Sequence, residues 1–328
     1  MSQLEPSSNS DHYSSGEPRL TLAMFPGQGS QYLGMGKELF DNFPIAREVF
    51  EEASQALGQS MTELCFNSSD SELATTTNTQ PSLLTCSVAA WRVIQAETGF
   101  VPDFFAGHSL GEYSALVAAG RLDLNTAVKT VRKRADAMQK AVPQGLGAMA
   151  AVLKCPADVL NSLCLKASTE TEFVEIANYN NPQQLVVAGH KKAVDLLLEE
   201  LKSQRIIAKL LPVSAPFHCR LMEPARQEMT PVLMALPFKN NGTKIVANVS
   251  GKIEENYHAG LLIEQITKSV LWTQSMELLA NQSCQNFIEV GPGKVLSGLI
   301  KRIKEDALVY HSDDLKGLLA YLSNKEIN

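Results

Sequence analysis

Ala106-Gly107-His108-Ser109-Leu110-Gly111-Glu112-Tyr113-Ser114 sets one serine in a Gly-x-Ser-x-Gly frame. The apolar run Phe104-Phe105-Ala106 leads into it, and a helix-like segment from Glu112 to Ala119, closed by Gly120, leads out. That succession is the layout of a nucleophile elbow: a strand ends, the backbone turns sharply, and a helix begins. A Cβ at 107 or 111 would collide with the neighbouring strand or helix, so the crowded turn requires glycine at both. The turn exposes the Ser109 hydroxyl. It also aims the N-terminus of the next helix at whatever oxygen becomes negative during attack.

The 328 residues are 45% hydrophobic and 20% charged, which allows a large core plus a second, smaller unit. No apolar run approaches the roughly 18 residues that a membrane helix needs. A formal charge of −6 and the lack of a basic tract exclude a nucleic-acid binder. Cys65, Cys86, Cys155, Cys164, Cys219 and Cys284 are scattered, with no Cys-x-x-Cys pair. Reduced, mostly buried thiols in a cytoplasmic protein are the expectation, with no metal site. Residues 1–19 are rich in Ser, Asn, Glu and Asp and have no apolar core, so they are expected to be a disordered leader.

Working outward, the pattern predicts a strand over Leu20–Phe25 that runs into the Gly-rich turn Pro26-Gly27-Gln28-Gly29-Ser30-Gln31. Helices are predicted near Met35–Phe40, over Ile45–Leu57, from Ser82 to about Thr98 behind Gln80-Pro81, and from Asn125 to about Val142. Between about 147 and 213 the order becomes strand, helix, strand, strand, helix, strand, the split ferredoxin-like arrangement. It sits between two halves of a larger α/β unit and reads as an insertion. The second half resumes at Pro216-Phe217-His218-Cys219. Helices over 221–234 and 260–269, strands over 244–248 and 286–290, the turn Gly291-Pro292-Gly293-Lys294 and a final helix follow.

A serine hydroxyl is a weak nucleophile at neutral pH and needs a base within hydrogen-bond reach. Of the six histidines, His218 is the best candidate, because it follows a turn and opens a helix where the larger unit resumes. Taken alone, it could equally be a helix cap. No acidic residue sits at an obvious strand end before it, so a backbone carbonyl is the expected acceptor for the imidazole. In the first Gly-rich turn the Gln28 amide is a candidate second oxyanion donor beside that of Leu110. That turn lacks the Lys-Ser/Thr ending of a phosphate loop and the spacing of a dinucleotide fingerprint. Arg134 lies two positions beyond Arg132, about 200° round the helix from the Lys129, Arg132 and Lys133 face. It fits either an interior position, gripping a substrate carboxylate, or a solvated face.

Five blocks together resemble the malonyl-CoA:acyl-carrier-protein transacylases: Phe25-Pro-Gly-Gln-Gly-Ser-Gln31, Gly107-His-Ser-Leu-Gly-Glu-Tyr-Ser114, Arg134, Pro216-Phe-His-Cys219 and Glu289-Val-Gly-Pro-Gly-Lys294. The resemblance runs from about residue 20 to 310. It implies an α/β-hydrolase-like large subdomain over 20–142 and 214–312. A ferredoxin-like subdomain over 143–213 and a C-terminal segment over 313–328 complete the division. It further implies Ser109 as nucleophile, His218 as base, and the Gln28 and Leu110 amides as oxyanion hole. Arg134 would clamp the malonyl carboxylate, the Gln265 carbonyl would hold the histidine, and Gln80 would line the pocket. Phe217 would leave little room for an α-methyl branch. Lys268-Ser269 follow where the family often has Asn-Pro, which makes Gln265 the least typical match. The implied partners are malonyl-CoA and an acyl carrier protein, approached through basic clusters at Lys129, Arg132 and Lys133 or at Lys301, Arg302 and Lys304. A monomer without bound cofactor is expected. The competing readings are an acyl hydrolase that clears carrier proteins and a non-catalytic carrier-docking subunit.

Overall fold

The computed structural model describes residues 20–323; the expected leader over 1–19, and residues 324–328, lie outside the described residues. Its strands, in chain order, are β1 (Leu20–Phe25), β2 (Phe104–Gly107), β3 (Gly147–Leu153), β4 (Val174–Asn181) and β5 (Gln184–His190). β6 (Ile207–Leu210), β7 (Ile245–Val246), β8 (Ile253–Glu254), β9 (Cys284–Glu289) and β10 (Leu308–His311) follow.

β1 and β2 are continuous apolar runs, and nearly every residue in them is buried. Such strands belong at the centre of a parallel sheet covered by helices on both faces. β1 lies between β2 and β9 and runs parallel to both; β10 and β7 extend the parallel set, and β8 closes one edge antiparallel. The order is β10-β9-β1-β2-β7-β8. Chain direction across the sheet reverses beside β1, and ligand crevices open outside the carboxyl ends of strands at such a point. The elbow, the 26–31 turn, Asn248 and the Gly291–Lys294 turn all follow those carboxyl ends.

The second sheet is antiparallel, in the order β4-β5-β3-β6, with the helices Ala157–Ala167 and Lys191–Ser203 supplied by its crossovers. Leu160, Leu163, Val187, Val194 and Leu197 form its own core. This is the mixed α/β architecture with a small ferredoxin-like sheet that the pattern led us to expect. The small sheet is tied to the segment ahead of the helix Trp272–Asn281 where Tyr179 donates its backbone N–H to Val270 O at 2.9 Å.

Several boundaries differ from the sequence reading. The helix expected from Ser82 begins at Thr76 and carries Pro81 inside it. Proline forfeits one backbone bond there, and burial of Leu83, Leu84, Val88, Trp91 and Ile94 outweighs that loss. The helix expected over 260–269 is Ala259–Gln265. Beyond it the chain leaves for the small sheet, where Ser269 Oγ donates to Ile176 O and Val270 bridges Asn178. The reading missed β8, β10 and the helices Trp272–Asn281 and Leu315–Ser323. The last of these buries Leu318, so the segment after 313 begins as packed helix. All six cysteines are buried and free. No described helix is long and apolar enough to cross a membrane.

Candidate active site

The elbow forms because three backbones meet without room for side chains. A Cβ on Gly107 would lie 1.9 Å from the Gly111 carbonyl, and one on Gly111 would lie 2.0 Å from Phe25 O. Gly27 also has no room for a Cβ, which would lie 2.4 Å from His108 O, and this brings the 26–31 turn onto the elbow. Between the two glycines Ser109 takes φ 52°, a left-handed conformation that a non-glycine residue rarely holds. Asn248, two residues past β7, secures it: Oδ1 accepts the Ser109 N–H at 2.6 Å, and Nδ2 donates to Gly107 O at 2.6 Å.

His218, also left-handed at φ 58°, meets this serine from the far end of the chain, with Nε2 2.7 Å from Ser109 Oγ. Its Nδ1 lies 2.8 Å from the backbone carbonyl of Gln265. A carbonyl only accepts, so Nδ1 carries the proton and Nε2 presents its lone pair to the hydroxyl. Burial, reinforced by the Arg134 charge, lowers the imidazole pKa to about 3. The ring is therefore a neutral base throughout the ordinary pH range. No carboxylate is needed to orient it.

Arg134 is buried, not solvated, on the helix Leu124–Lys140. Nη1 donates to Gln80 Oε1 at 2.7 Å; Nη2 donates to Gln265 Oε1 at 2.9 Å and to Ser109 Oγ at 3.2 Å. These acceptors are neutral, so the guanidinium is held in place without a direct ion pair among the described residues. Burial lowers its pKa accordingly. By contrast Arg132, on the outer face, reaches Gln59 Oε1.

The remaining expected residues sit around this core. Gln28 is half-buried, with its side-chain amide 3.4 Å from Thr76 Oγ1. Leu110 is buried directly ahead of the helix Gly111–Ala118. Among the described residues neither backbone N–H donates to another protein group. Phe217 is buried, and its N–H points at the Met149 sulfur at 3.3 Å. A cleft of about 420 Å³ reaches His218 and is lined by Tyr179, Arg220, Lys268 and Ser269.

Three participants escaped the sequence reading. Asn248 carries no local signal, because its role depends on β7 lying beside β2. Glu112 stood inside the elbow block, but its burial was not foreseeable from the pattern. Tyr257 reaches it with an O–H···O bond of 2.6 Å. The Glu289 block proves to be a capping device: its carboxyl accepts the N–H groups of Leu296 and Ser297 at the head of the helix Val295–Ile303.

Residues 23–313 match the acyl transferase domain family. The chain is 45% identical over 285 residues to the malonyl CoA-acyl carrier protein transacylase of Bacillus subtilis, covering 85% of this chain and 89% of that protein. It is 44% identical over 283 residues to the enzyme of the same name from Escherichia coli K12, covering 85% and 91%. The chain belongs to the malonyl-CoA:acyl-carrier-protein transacylase family. Solved acyl transferases of that family superpose on it closely. The Coxiella burnetii transacylase does so with a TM-score of 0.89 at 38% identity, over 94% of this chain and 99% of that one. A malonyl-transacylase solved in complex with its type II PKS acyl-carrier protein gives 0.89 at 38%, over 93% and 100%. The acyl transferase assignment agrees with a site that brings together one serine, one neutral histidine and one buried arginine without a direct ion pair.

Proposed function

We propose that this protein is an [acyl-carrier-protein] S-malonyltransferase. It moves a malonyl group from malonyl-CoA to the phosphopantetheine thiol of an acyl carrier protein, in fatty-acid or polyketide synthesis. The observation that carries this reading is Arg134, buried and without a counter-charge partner, 3.2 Å from Ser109 Oγ. A hydrolase for neutral acyl groups gains nothing from such a cation; a malonyl carboxylate would accept its bidentate grip.

In the first half-reaction Ser109 Oγ attacks the thioester carbonyl while His218 Nε2 takes its proton. The oxyanion forms against the Leu110 and Gln28 N–H groups. As the C–S bond breaks, the imidazolium returns the proton to the departing coenzyme A thiolate, leaving malonyl-Ser109. In the second half the carrier thiol gives its proton to His218 and attacks the ester. Ser109 Oγ leaves and recovers that proton. No net charge, electron or water is consumed.

The sequence division into 20–142 with 214–312, 143–213 and 313–328 is proposed as the subdomain organisation, with the site between the first two units. A monomer working in the cytoplasm without a bound cofactor is proposed alongside it. Incubation with malonyl-CoA should give a single malonyl adduct on the Ser109 peptide by mass spectrometry, discharged by holo carrier protein. Ser109→Ala should abolish it and lower transfer by ~10³-fold or more. Rapid hydrolysis of acetyl groups without transfer would establish the hydrolase instead.

A further inference from the structure

The steps above leave Glu112 unused, although its carboxyl meets Tyr257, Gln265 and the backbone of Asn248 beside the site. It is 1% exposed and sits in the first turn of the helix Gly111–Ala118, one turn beyond the nucleophile. Oε1 accepts from the Tyr257 hydroxyl at 2.6 Å and Oε2 from Gln265 Nε2 at 2.6 Å. The Asn248 backbone N–H points between the two oxygens, 3.3 Å from each. Donors therefore converge on it from three separate segments, which suits an ionised carboxylate.

We propose that Glu112 is a positioning residue: it fixes the polarity of the Gln265 amide and thereby holds Arg134 ready for a carboxylate-bearing acyl group. The inference rests on the malonyl-transfer reading. A side-chain amide can be turned either way, and its neighbours decide which. Gln265 Nε2 faces two acceptors, the Glu112 carboxyl and Ser109 O at 3.0 Å, so Oε1 is left facing the guanidinium. Turned over, the NH2 would oppose Arg134 and the oxygen would oppose both acceptors. The carboxylate thus acts on the arginine through an amide. A direct ion pair would have neutralised the charge that a substrate carboxylate needs. The contact from His218 to Gln265 uses the main-chain carbonyl and does not depend on how the side chain is turned.

Burial raises the Glu112 carboxyl pKa to about 7, against the pull of the Tyr257 and Gln265 donors, so the test is run at pH 8. It compares kcat and KM for malonyl-CoA and acetyl-CoA in the wild type, Glu112→Gln and Tyr257→Phe. Glu112→Gln sets an NH2 or a lone carbonyl against Gln265 and frees its amide to turn. KM for malonyl-CoA should rise roughly 10–100-fold, and the malonyl/acetyl ratio of kcat/KM should fall with it. The acetyl-CoA kcat/KM should fall several-fold less than the malonyl-CoA value, since only the malonyl group uses the positioned charge as well as the hydrogen bond to Ser109. Tyr257→Phe keeps the carboxylate and should keep the ratio. Where Glu112→Gln does not fold, Gln265→Leu removes the relay and should give the same loss of ratio. An unchanged ratio, or equal losses on both substrates, overturns the inference while malonyl transfer by the wild type stands. A wild type that transfers no malonyl group overturns the proposed function, and this inference with it.

Discussion

Arg134 Nη2 lies 3.2 Å from Ser109 Oγ, so the group proposed to select the acyl chain also donates a hydrogen bond to the nucleophile. Selection and attack share one atom. Arg134→Ala should therefore lower malonyl kcat/KM by about 10²-fold or more while raising acceptance of acetyl-CoA relative to malonyl-CoA. Arg134→Lys keeps a charge but loses the fork, and should recover little of the loss. Competition between the two thioesters, read by mass spectrometry, checks both variants. A constant product ratio would remove the clamp from the mechanism.

Asn248 closes the elbow with two bonds of 2.6 Å, one to the half-buried Ser109 N and one to the buried Gly107 O. Asn248→Ala strips its partner from the buried Gly107 carbonyl and from the half-buried Ser109 N–H, at about 1–3 kcal/mol. Denaturant unfolding should show that loss, and kcat should fall further than KM rises as the serine wanders. Equal unfolding midpoints in variant and wild type would refute the role.

His218 provides a pH signature in stability. Its folded pKa is lowered to about 3, whereas an unfolded histidine titrates near 6.5. Its contribution to stability is complete above about 6.5 and drains away as pH falls toward about 3. Glu112, raised to about 7, runs the other way: its contribution is complete below the ordinary carboxylate value and is lost as pH rises through about 7. His218→Gln removes only the first. Between pH 7.5 and 4.5 the variant should gain about 3 kcal/mol on the wild type, measured by paired unfolding curves. A difference independent of pH would count against a buried neutral imidazole.

Gly111 has no space for a methyl group, with Phe25 O 2.0 Å from the ideal Cβ position. Gly111→Ala should cost about 3 kcal/mol or more, since only backbone stands in the way. Gly298, whose Cβ position is open, should accept alanine with little change in the same melting experiment.

Much of this site was readable before any coordinates, because its chemistry is local. The strand–turn–helix around Ser109 and the two tight glycines follow from a few adjacent residues. Arg134 separated from its basic neighbours by helical angle, though the pattern could not decide between interior and solvent. What stayed hidden depends on distant chain crossings. Asn248 matters only because β7 pairs with β2, and Glu112 becomes a hub only when Tyr257 and Gln265 close over it. The short edge strands β8 and β10 escaped because two to four half-buried residues make no periodic signal. Pro81 misled for the opposite reason: a strong local breaker was overruled by tertiary packing.

Ser109 and His218 both keep positive φ, at 52° and 58°. Each such turn disfavours a side-chain-bearing residue by about 1 kcal/mol, so glycine would relax either one. At Ser109 the strain serves only the hydroxyl that the turn presents, whereas at His218 it is outweighed by the packing of a buried imidazole and its bond to Gln265 O. A lineage relieved of acyl transfer should surrender the serine early and keep the imidazole as a structural brace.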